Sequence, residues 1–307
     1  MRKRLIVLVG PTASGKTELG IFLAQKLNTE IISADSRQIF REMSIGTAKP
    51  SESQLSLTPH HFIGSHSIFD EVSSGIFEHL ALKKLSDIFQ QSDTALLVGG
   101  SGLYVKAVCE GFDKVPPSHP ETRHQLEREF MQHGLDSLLD ELKKSDPVYY
   151  SLVDQSNHRR IIRALEVFRI SGAPFSSYQQ HKPKKRDFEI IKIGIETDRE
   201  QLYTQINARV DSMMEAGLLK EAQALFPDRN LNALQTVGYQ ELFDYLEGKA
   251  SLSEAVEKIK QNTRNFAKRQ LTWFHKDKEI KWFNKDATES IYGYLLKTIL
   301  KDNLLSD

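Results

Sequence analysis

The stretch MRKRLIVLVGPTASGKT, at residues 1–17, decides the fold. Residues 5–9 are a short run of branched apolar side chains, which is typical of a strand buried on both faces of a parallel sheet. This run leads directly into GPTASGKT at 10–17, which matches the phosphate-binding pattern G-x-x-x-x-G-K-[ST] in full. Residues 18–27 then place apolar side chains on one face of a helix. Strand, glycine loop and helix are the context that the motif requires, so a glycine-rich turn that binds nothing is the weaker alternative.

The backbone of residues 10–17, the phosphate-binding loop, is suited to hold a phosphate or pyrophosphate. Its two glycines permit dihedrals that turn successive N–H groups toward one point, and the following helix N-terminus adds partial positive charge. Lys16 supplies an ammonium group, and the Thr17 hydroxyl can ligate Mg²⁺, which makes Thr17 the predicted metal ligand. The predicted phosphate-binding residues are Gly10, Pro11, Thr12, Ala13, Ser14, Gly15, Lys16 and Thr17.

The composition excludes several classes of protein. The 307 residues are 39% hydrophobic and 27% charged, which is ordinary for a globular chain of one large domain or two modest ones. The single cysteine, Cys109, excludes an internal disulfide and a cysteine-based zinc cluster. The apolar run near the N-terminus is too short for a signal peptide, and no run approaches the length of a membrane span. We therefore expect a cytoplasmic protein without a membrane partner.

Charge is segregated along the chain. The formal net charge is zero, which argues at first against a nucleic-acid partner. However, Glu166 is the only acidic residue in the strongly basic stretch 159–186, and a second basic concentration spans 258–278. A basic surface on a neutral protein favours nucleic-acid binding. The alternative is a solvated helix face, and it is stronger for Arg264, Lys268 and Arg269 than for the first stretch.

Two further predicted strands end in residues that suit a ligand site. Asp35 follows a strand at 31–32 and is expected near the phosphate-binding loop if the first two strands are neighbours. The alternative role for Asp35 is a helix N-cap or turn residue. A third strand at 94–98 ends in GGSG, which lets a ligand approach the backbone closely. A typical ATP-binding P-loop protein carries an acidic Mg²⁺ ligand there, so glycine counts against an ATP-driven motor or switch.

The order of elements predicts an α/β protein with a P-loop-type parallel sheet core flanked by helices, and a mainly helical insertion domain. The prolines of residues 114–120 mark a linker, and short helices are expected from 121 to about 178, followed by a basic linker at 181–187. A strand at 188–195 returns the chain to the sheet. We therefore predict a core domain at 1–118 and 188–307, with an insertion domain at 119–187.

The remaining segments give weaker indications. His60 and His61 are expected to be loop contacts rather than metal ligands, because no carboxylate or cysteine stands at ligand spacing. Ser251 and Glu254 form a predicted capping box at the start of a long helix. An edge strand is predicted at 280–283, and further helices at 78–91, 198–216 and 291–300.

Six segments together resemble the bacterial tRNA dimethylallyltransferases, also called tRNA isopentenyltransferases. In the family's order they are GPTASGKT at 10–17, DSRQIFR at 35–41, GGSGLY at 99–104, RRIIRALEVF at 159–168, QTVGYQE at 235–241 and TRNFAKRQLTWF at 263–274. The resemblance implies transfer of a dimethylallyl group from dimethylallyl diphosphate to N6 of adenosine 37, next to the tRNA anticodon. The products are N6-(dimethylallyl)adenosine and diphosphate. The loop would hold the diphosphate of the donor rather than ATP, which fits the missing acidic residue.

The resemblance also implies catalytic roles. Asp35 matches the family's general base, which an adenine amine requires because it must lose a proton as it attacks the allylic carbon. Arg209, Lys16 and Mg²⁺ as the cofactor on Thr17 would stabilise the departing diphosphate. Ser101 stands where the family usually has threonine, and its hydroxyl can make the same hydrogen bond. The predicted catalytic residues are Asp35, Ser101 and Arg209.

Contacts with the anticodon stem-loop of tRNA follow from the same resemblance. An enzyme that modifies a stacked base takes it out of its stack. The residues predicted at the flipped base are Asp35, Ser36, Arg37, Gln38 and Ser101. Those predicted on the stem-loop are Arg123, Arg159, Arg160, Ile161, Ile162 and Arg163. The expected partners are tRNA and dimethylallyl diphosphate, and we expect a monomer.

Three other functions remain open from the sequence. A small-molecule or nucleotide kinase would share the loop, Lys16 and Mg²⁺, but no residue marks an ATP adenine pocket or a phosphoryl acceptor. An enzyme that prenylates free adenine nucleotides would not need a basic insertion. A non-catalytic tRNA-binding module would not need Asp35.

Overall fold

A computed structural model of the protein describes residues 2–179 and 182–304. His181, at the start of the predicted basic linker, lies outside the described residues. The strands in chain order are β1 (Arg4–Val9), β2 (Ile31–Ser33), β3 (His60–His61), β4 (Thr94–Gly99), β5 (Glu189–Glu196) and β6 (Lys281–Asn284). They form a parallel sheet in the order β3-β2-β4-β1-β5-β6. The predicted return of the chain to the sheet is confirmed, because β5 pairs with β1.

Helices occupy the chain segments between and after the strands. In chain order they are α1 (Lys16–Leu27), α2 (Glu52–Leu57), α3 (Ser74–Gln91), α4 (Gly102–Glu110), α5 (Pro120–Ser145), α6 (Pro147–Leu152), α7 (His158–Ser171), α8 (Phe175–Tyr178), α9 (Arg199–Glu215), α10 (Leu218–Leu225), α11 (Tyr239–Leu246), α12 (Leu252–Phe274) and α13 (Thr288–Leu304). None of the helices within the described ranges is both long and apolar enough to cross a membrane.

The strand β1 is covered on both faces because its alternate side chains enter two different apolar clusters. Leu5, Val7 and Val9 belong to one cluster, and Ile6 and Leu8 to the other. All five side chains are fully buried. The structure therefore confirms the predicted P-loop-type α/β core, with β1 near the middle of the sheet and the phosphate-binding loop at its carboxyl end.

The chain separates into two compact units. Residues Met1–Glu110 and Lys185–Asp307 form the sheet unit, and Gly111–Lys184 form the helical insertion. The boundaries predicted from the sequence are 118/119 and 187/188, against 110/111 and 184/185 in the structure. Within the insertion, Leu126 and Leu142 of α5 and Ile161 and Leu165 of α7 are fully buried against each other. This cluster gives the insertion a hydrophobic core of its own.

The long helix α5 is bent where the sequence predicted separate short helices. Gly134 interrupts it with φ 76° and ψ −176°, a backbone conformation that residues with a Cβ rarely adopt.

Two elements of the C-terminal part were predicted from local sequence patterns. Ser251 and Glu254 form the predicted capping box at the start of α12, because each backbone N–H bonds the other side chain. The predicted edge strand near residues 280–283 is confirmed as β6.

The expectation that His60 and His61 lie in a loop was wrong. The two residues form β3, an edge strand that pairs with Ile31 and Ile32 of β2. A two-residue strand has no periodicity that a sequence pattern could reveal. The helices α2 and α4 were also not predicted. α4 starts directly after the glycine-rich end of β4, where small residues indicated only a loop.

Candidate active site

The phosphate-binding loop joins β1 to α1 and turns by means of left-handed backbone conformations. Gly15 has φ 85° at the N-cap of α1, and Ala13 has φ 64°. No side chain caps the N-terminus of α1. The first N–H groups of this helix are therefore available to an anion, as the motif predicted.

Lys16 lies half-buried in this loop, where its Nζ donates to the Pro11 carbonyl oxygen at 2.5 Å. Burial and the neighbouring Arg209 lower the pKa of Lys16 to about 7, although Asp35 and Glu18 act in the opposite direction. The ammonium group is therefore easily discharged while no anion lies beside it. A bound diphosphate would favour the charged form.

Arg209 of α9 reaches the same loop. Its Nη1 lies 3.4 Å from Thr12 Oγ1, and burial lowers the pKa of the guanidinium. Within the described residues, neither Arg209 nor Lys16 forms an ion pair with a carboxylate. The buried hydroxyl of Ser14 also lacks a hydrogen-bond partner there. Two half-buried cations and an unsatisfied hydroxyl that meet at this loop indicate a site for an anionic ligand.

Asp35 follows the carboxyl end of β2, and its carboxylate serves the turn that it begins. Oδ1 accepts hydrogen bonds from Arg37 N at 2.9 Å and from Gln38 N at 3.1 Å. The alternative role as a turn residue is therefore realised. The other oxygen, Oδ2, accepts no hydrogen bond in the part of the chain that the structure describes. Oδ1 of this carboxylate can thus support the turn while Oδ2 accepts a proton.

Asp35 was expected near the phosphate-binding loop if β1 and β2 were neighbouring strands. That condition was wrong, because β1 and β2 are not neighbours. β4 lies between them in the sheet. Even so, one cavity of about 200 Å³ is lined by Lys16, Asp35, Ser101 and Arg209, among other residues. All parallel strands end at the same edge of the sheet, so residues after β1, β2 and β4 meet there without adjacent pairing.

Ser101 connects the end of β4 to the turn at Asp35. Its Oγ accepts a hydrogen bond from Ser36 N at 2.9 Å and lies 3.2 Å from Ser36 Oγ, while its own N–H donates to the Ala34 carbonyl. A Cβ at Gly99 would lie 2.2 Å from the Ala34 oxygen, so only glycine permits this approach. The hydroxyl of Ser101 therefore lies in the cavity beside the aspartate.

Two of the residues predicted at the flipped base already support neighbouring loops. Arg37 Nη1 donates to the carbonyls of Asn232 and Ala233, both at 2.9 Å. Gln38 Nε2 donates to the carbonyls of Thr47 and Ala48, both at 3.1 Å. Both side chains line the cavity. Their structural bonds fix the orientation in which they would meet a ligand.

The residues predicted to contact the stem-loop differ in accessibility. Arg159 and Arg160 are exposed, whereas the side chains of Ile161 and Ile162 are buried in the core of the insertion. Arg163 donates to Glu166 at 2.7 Å and to the Pro116 carbonyl. The side chains of the two isoleucines are therefore not accessible to tRNA, and the predicted stem-loop contacts of residues 159–163 stay a prediction.

The side chain of Arg123 also bonds a residue of its own helix. Its Nε donates to Glu127 at 3.4 Å along the exposed face of α5. An ion pair of this kind at the protein surface contributes little stability and can be exchanged for a phosphate contact.

Two residues with structural roles at the cavity were missed. Glu221 of α10 accepts hydrogen bonds from the backbone N–H groups of residues 44–46 and from the Tyr239 hydroxyl. Gln270 of α12 bonds both the phosphate-binding loop and the loop after β4. The available signal for Gln270 was its position on the buried stripe of α12, four residues before Phe274 and three after Ala267.

No cluster of three or more histidine, cysteine, aspartate or glutamate side chains suited to a metal ion occurs in residues 2–179 and 182–304. A protein-only metal cage is therefore absent from these residues. The Thr17 hydroxyl lines the cavity and matches a Mg²⁺ that takes its other ligands from substrate phosphates and water.

The fold and this cavity define a P-loop-type α/β protein with cationic groups and a carboxylate in one site. A family model described as IPP transferase matches residues 38–277. The tRNA dimethylallyltransferase of Christiangramia forsetii is 50% identical over 296 residues, which cover 96% of this chain and 98% of that protein. The tRNA dimethylallyltransferase 1 of Phocaeicola vulgatus is 46% identical, with 96% and 98% covered.

Solved structures agree with the sequence relatives. The tRNA isopentenylpyrophosphate transferase of Bacillus halodurans matches with a TM-score of 0.74 and 35% identity, over 99% of each chain. A eukaryotic dimethylallyltransferase, described as acting on tRNA, matches with a TM-score of 0.78 and 25% identity, over 98% of this chain and 80% of that one. The chain belongs to the IPP transferase family of tRNA dimethylallyltransferases, so the resemblance identified from sequence motifs is confirmed.

Proposed function

We propose that the protein transfers the dimethylallyl group of dimethylallyl diphosphate to N6 of adenosine 37, next to the anticodon of tRNA. The observation that carries this proposal is the single cavity that holds Lys16 and Arg209 together with Asp35 and Ser101. The cations suit a diphosphate leaving group, and the carboxylate suits a nucleophile that must lose a proton. Apolar side chains, including those of Val210, Met213, Leu218 and Ile259, line the cavity too and suit a hydrocarbon group.

The reaction requires one bond to form and one to break at the same carbon. The N6 lone pair of the adenine attacks C1 of the allyl group, and the C1–O bond breaks with its electron pair leaving on the diphosphate. One N6 proton passes to the carboxylate of Asp35, for which Oδ2 is the available oxygen. Lys16, Arg209 and the N–H groups at the start of α1 stabilise the charge that grows on the diphosphate.

Mg²⁺ is the proposed cofactor. The Thr17 hydroxyl would hold it together with diphosphate oxygens and water, which fits a site with one protein hydroxyl and no carboxylate cluster among the described residues. When bound, the ion supplies positive charge to the leaving group.

The anticodon stem-loop would be bound in part by the insertion. Arg159 and Arg160 are exposed at the start of α7 and make no ion pair within the described residues. Such arginines suit phosphate oxygens. The adenine would leave its stack and enter the cavity, where Ser36 and Gln38 lie next to Asp35.

The test uses radiolabelled dimethylallyl diphosphate with four acceptors: unmodified tRNA, the same tRNA with guanosine at position 37, AMP and ATP. We expect label in the first tRNA alone and a requirement for Mg²⁺. Label in AMP or ATP would instead support the prenylation of free nucleotides. Transfer of phosphate from ATP, with no response to the diphosphate, would support a kinase.

We further propose that the protein acts as a monomer in the cytoplasm. Light scattering after size-exclusion chromatography, with and without tRNA, tests the first part of this proposal, and fractionation of cells tests the second.

A further inference from the structure

Gln270 joins the phosphate-binding loop to the loop of Gly100 and Ser101. Its Oε1 accepts a hydrogen bond from Thr12 N at 2.8 Å, and its Nε2 donates to the Gly100 carbonyl at 2.9 Å. The side chain is 7% exposed. A buried amide with both ends bonded cannot turn or shift without leaving a polar group unsatisfied.

The loop after β4 is shaped to fit against α12. A Cβ at Gly100 would lie 2.3 Å from Gln270 Nε2, and one at Gly102 would lie 2.2 Å from Trp273 Nε1. Neither distance is tolerable, so both positions require glycine for this close approach. Ser101 lies between these two glycines and lines the cavity.

Hydrogen bonds extend from Gln270 to both ends of the site. On one side, Thr12 belongs to the phosphate-binding loop, and its hydroxyl lies 3.4 Å from Arg209 Nη1. On the other side, Ser101 bonds Ala34 and Ser36, the two residues that flank Asp35. Gln270 is therefore the direct bridge between the groups that hold the leaving group and those that hold the proton acceptor.

We propose that Gln270 is a positioning residue, which sets the distance between the diphosphate subsite and Asp35. This inference rests on the proposed function, because it concerns the alignment of N6, C1 and the departing oxygen. A misplacement of about 1 Å costs about 10²-fold in rate when two reactants must be in line. Gln270 acts through Thr12 and Gly100, so its loss should slow bond formation and leave the contacts that bind each substrate in place.

The first experiment compares Gln270→Met with Gln261→Met. Gln261 is a matched control because it is an exposed glutamine on the same helix. Single-turnover reactions use the full chain, labelled dimethylallyl diphosphate and tRNA, and give the rate constant separately from the fraction of active protein. We expect Gln270→Met to lower the rate constant about 10- to 100-fold. The dissociation constants for both substrates should stay within about twofold, and Gln261→Met should match the wild type.

The second experiment uses Gln270→Glu and its control, Gln261→Glu. The glutamate keeps an acceptor for Thr12 N–H, but an ionised carboxylate has no proton to donate to the Gly100 carbonyl. A protonated carboxyl group can donate that hydrogen bond. The ratio of the Gln270→Glu rate constant to the wild-type rate constant should therefore rise as the pH falls, whereas the ratio for Gln261→Glu should stay flat.

Three results would overturn the inference. The first is a rate constant of Gln270→Met equal to that of the wild type. The second is a lower fraction of active Gln270→Met protein with an unchanged rate constant, since that indicates structural support alone. If Gln270→Met does not fold, a pH-independent ratio for Gln270→Glu decides against it. Failure of the wild type to transfer the group would refute the proposed function itself, and the inference with it.

Discussion

The cavity of the sheet unit and the helical insertion use their cationic side chains in opposite ways. Lys16 and Arg209 are half-buried in the cavity without a carboxylate partner in the described part of the chain. In the insertion, Arg163 is paired with the fully buried Glu166, and Arg169 with Glu129 and Glu141. Desolvated cations without a partner indicate an anionic ligand, whereas paired cations hold the fold together.

The comparison teaches that the partner of a cation, rather than its place in a basic stretch, indicates its role. Arg159 and Arg163 lie one helical turn apart on α7 and looked equivalent in the sequence. Arg159 is exposed, while Arg163 is bound to Glu166 and to the Pro116 carbonyl. Substitutions in both regions test this contrast, beginning with the largest expected effect.

Replacing Asp35 by asparagine should lower turnover by about 10²–10⁴-fold, because the proposed general base is lost. An asparagine Oδ1 can still accept the hydrogen bonds from Arg37 N and Gln38 N, so the turn is preserved. Single-turnover kinetics and tRNA binding should show a lower rate constant with little change in affinity. Near-normal turnover would make Asp35 a turn residue only, and the cavity would need another base.

Replacing Lys16 by methionine should weaken dimethylallyl diphosphate binding by about 10- to 100-fold, as expected for the loss of a charged hydrogen bond at a partly desolvated site. Calorimetry of the wild type and the variant with Mg²⁺ present would measure the difference. Equal affinities would show that the phosphate-binding loop does not hold the donor through this ammonium group.

The same lysine should make donor binding depend on pH. Burial and Arg209 lower the pKa of Lys16 to about 7 in the ligand-free protein, so the group is charged below that pH and neutral above it. Because the bound diphosphate favours the charged form, binding takes up a proton above pH 7, and affinity should fall as the pH rises. The donor also ionises in this pH range, and its ionisation affects the wild type and Lys16→Met alike. Dividing the wild-type affinity by that of the variant therefore cancels this contribution. A ratio that stays constant from pH 6.5 to about 9 would contradict this assignment.

In the insertion, Arg163→Ala should reduce stability by about 1–3 kcal/mol, because Glu166 would stay buried with one partner fewer. Hydrogen exchange of α7, measured by mass spectrometry, reports this loss locally. Arg159→Ala is the matched control and should change stability by less than about 0.5 kcal/mol. Unchanged exchange in Arg163→Ala would remove the distinction between paired and exposed arginines.

This ion pair also has a pH signature. Burial acts to raise the pKa of Glu166, but hydrogen bonds from Ser118, Arg163 and the His119 N–H outweigh burial and lower it below its ordinary value. A carboxylate of this kind stabilises the folded protein above its unfolded pKa, and the stabilisation is lost as the pH falls through the folded value. The difference between wild type and Arg163→Ala should therefore shrink in acid.

Local patterns in the sequence were sufficient for the centre of the fold. β1, the phosphate-binding loop and α1 are adjacent in the chain, so periodicity and the two glycines specify them together. Asp35 and Ser101 could be assigned to the site because both follow buried parallel strands, whose carboxyl ends share one edge of the sheet. The capping box at Ser251 is likewise a short-range signal.

Contacts between distant segments could not be predicted. Gln270 bonds Thr12 across 258 residues, and Glu221 bonds the backbone of Ser44 across 177. A sequence shows that a polar residue lies on a buried stripe but does not show which N–H it meets. For the same reason the sequence did not show that Arg163 bonds the Pro116 carbonyl, since only the folded insertion brings these two groups together.

The smallest expected effect concerns the exposed arginines. Replacing Arg159 and Arg160 by alanine should raise KM for tRNA about three- to tenfold, because each exposed charge contact contributes about 0.3–0.7 kcal/mol. The salt dependence of tRNA binding should also flatten by about one to two released counterions, while donor affinity stays unchanged. The matched control is the exposed pair Lys143 and Lys144 on α5, replaced by alanine, which removes the same charge from the insertion outside the motif at 159–168. Equal effects of the two double variants would mean that the insertion attracts tRNA only through its overall charge. If neither double variant changes KM for tRNA, Arg159 and Arg160 lie on a solvated face of α7. The contrast between exposed and paired arginines would then concern stability alone.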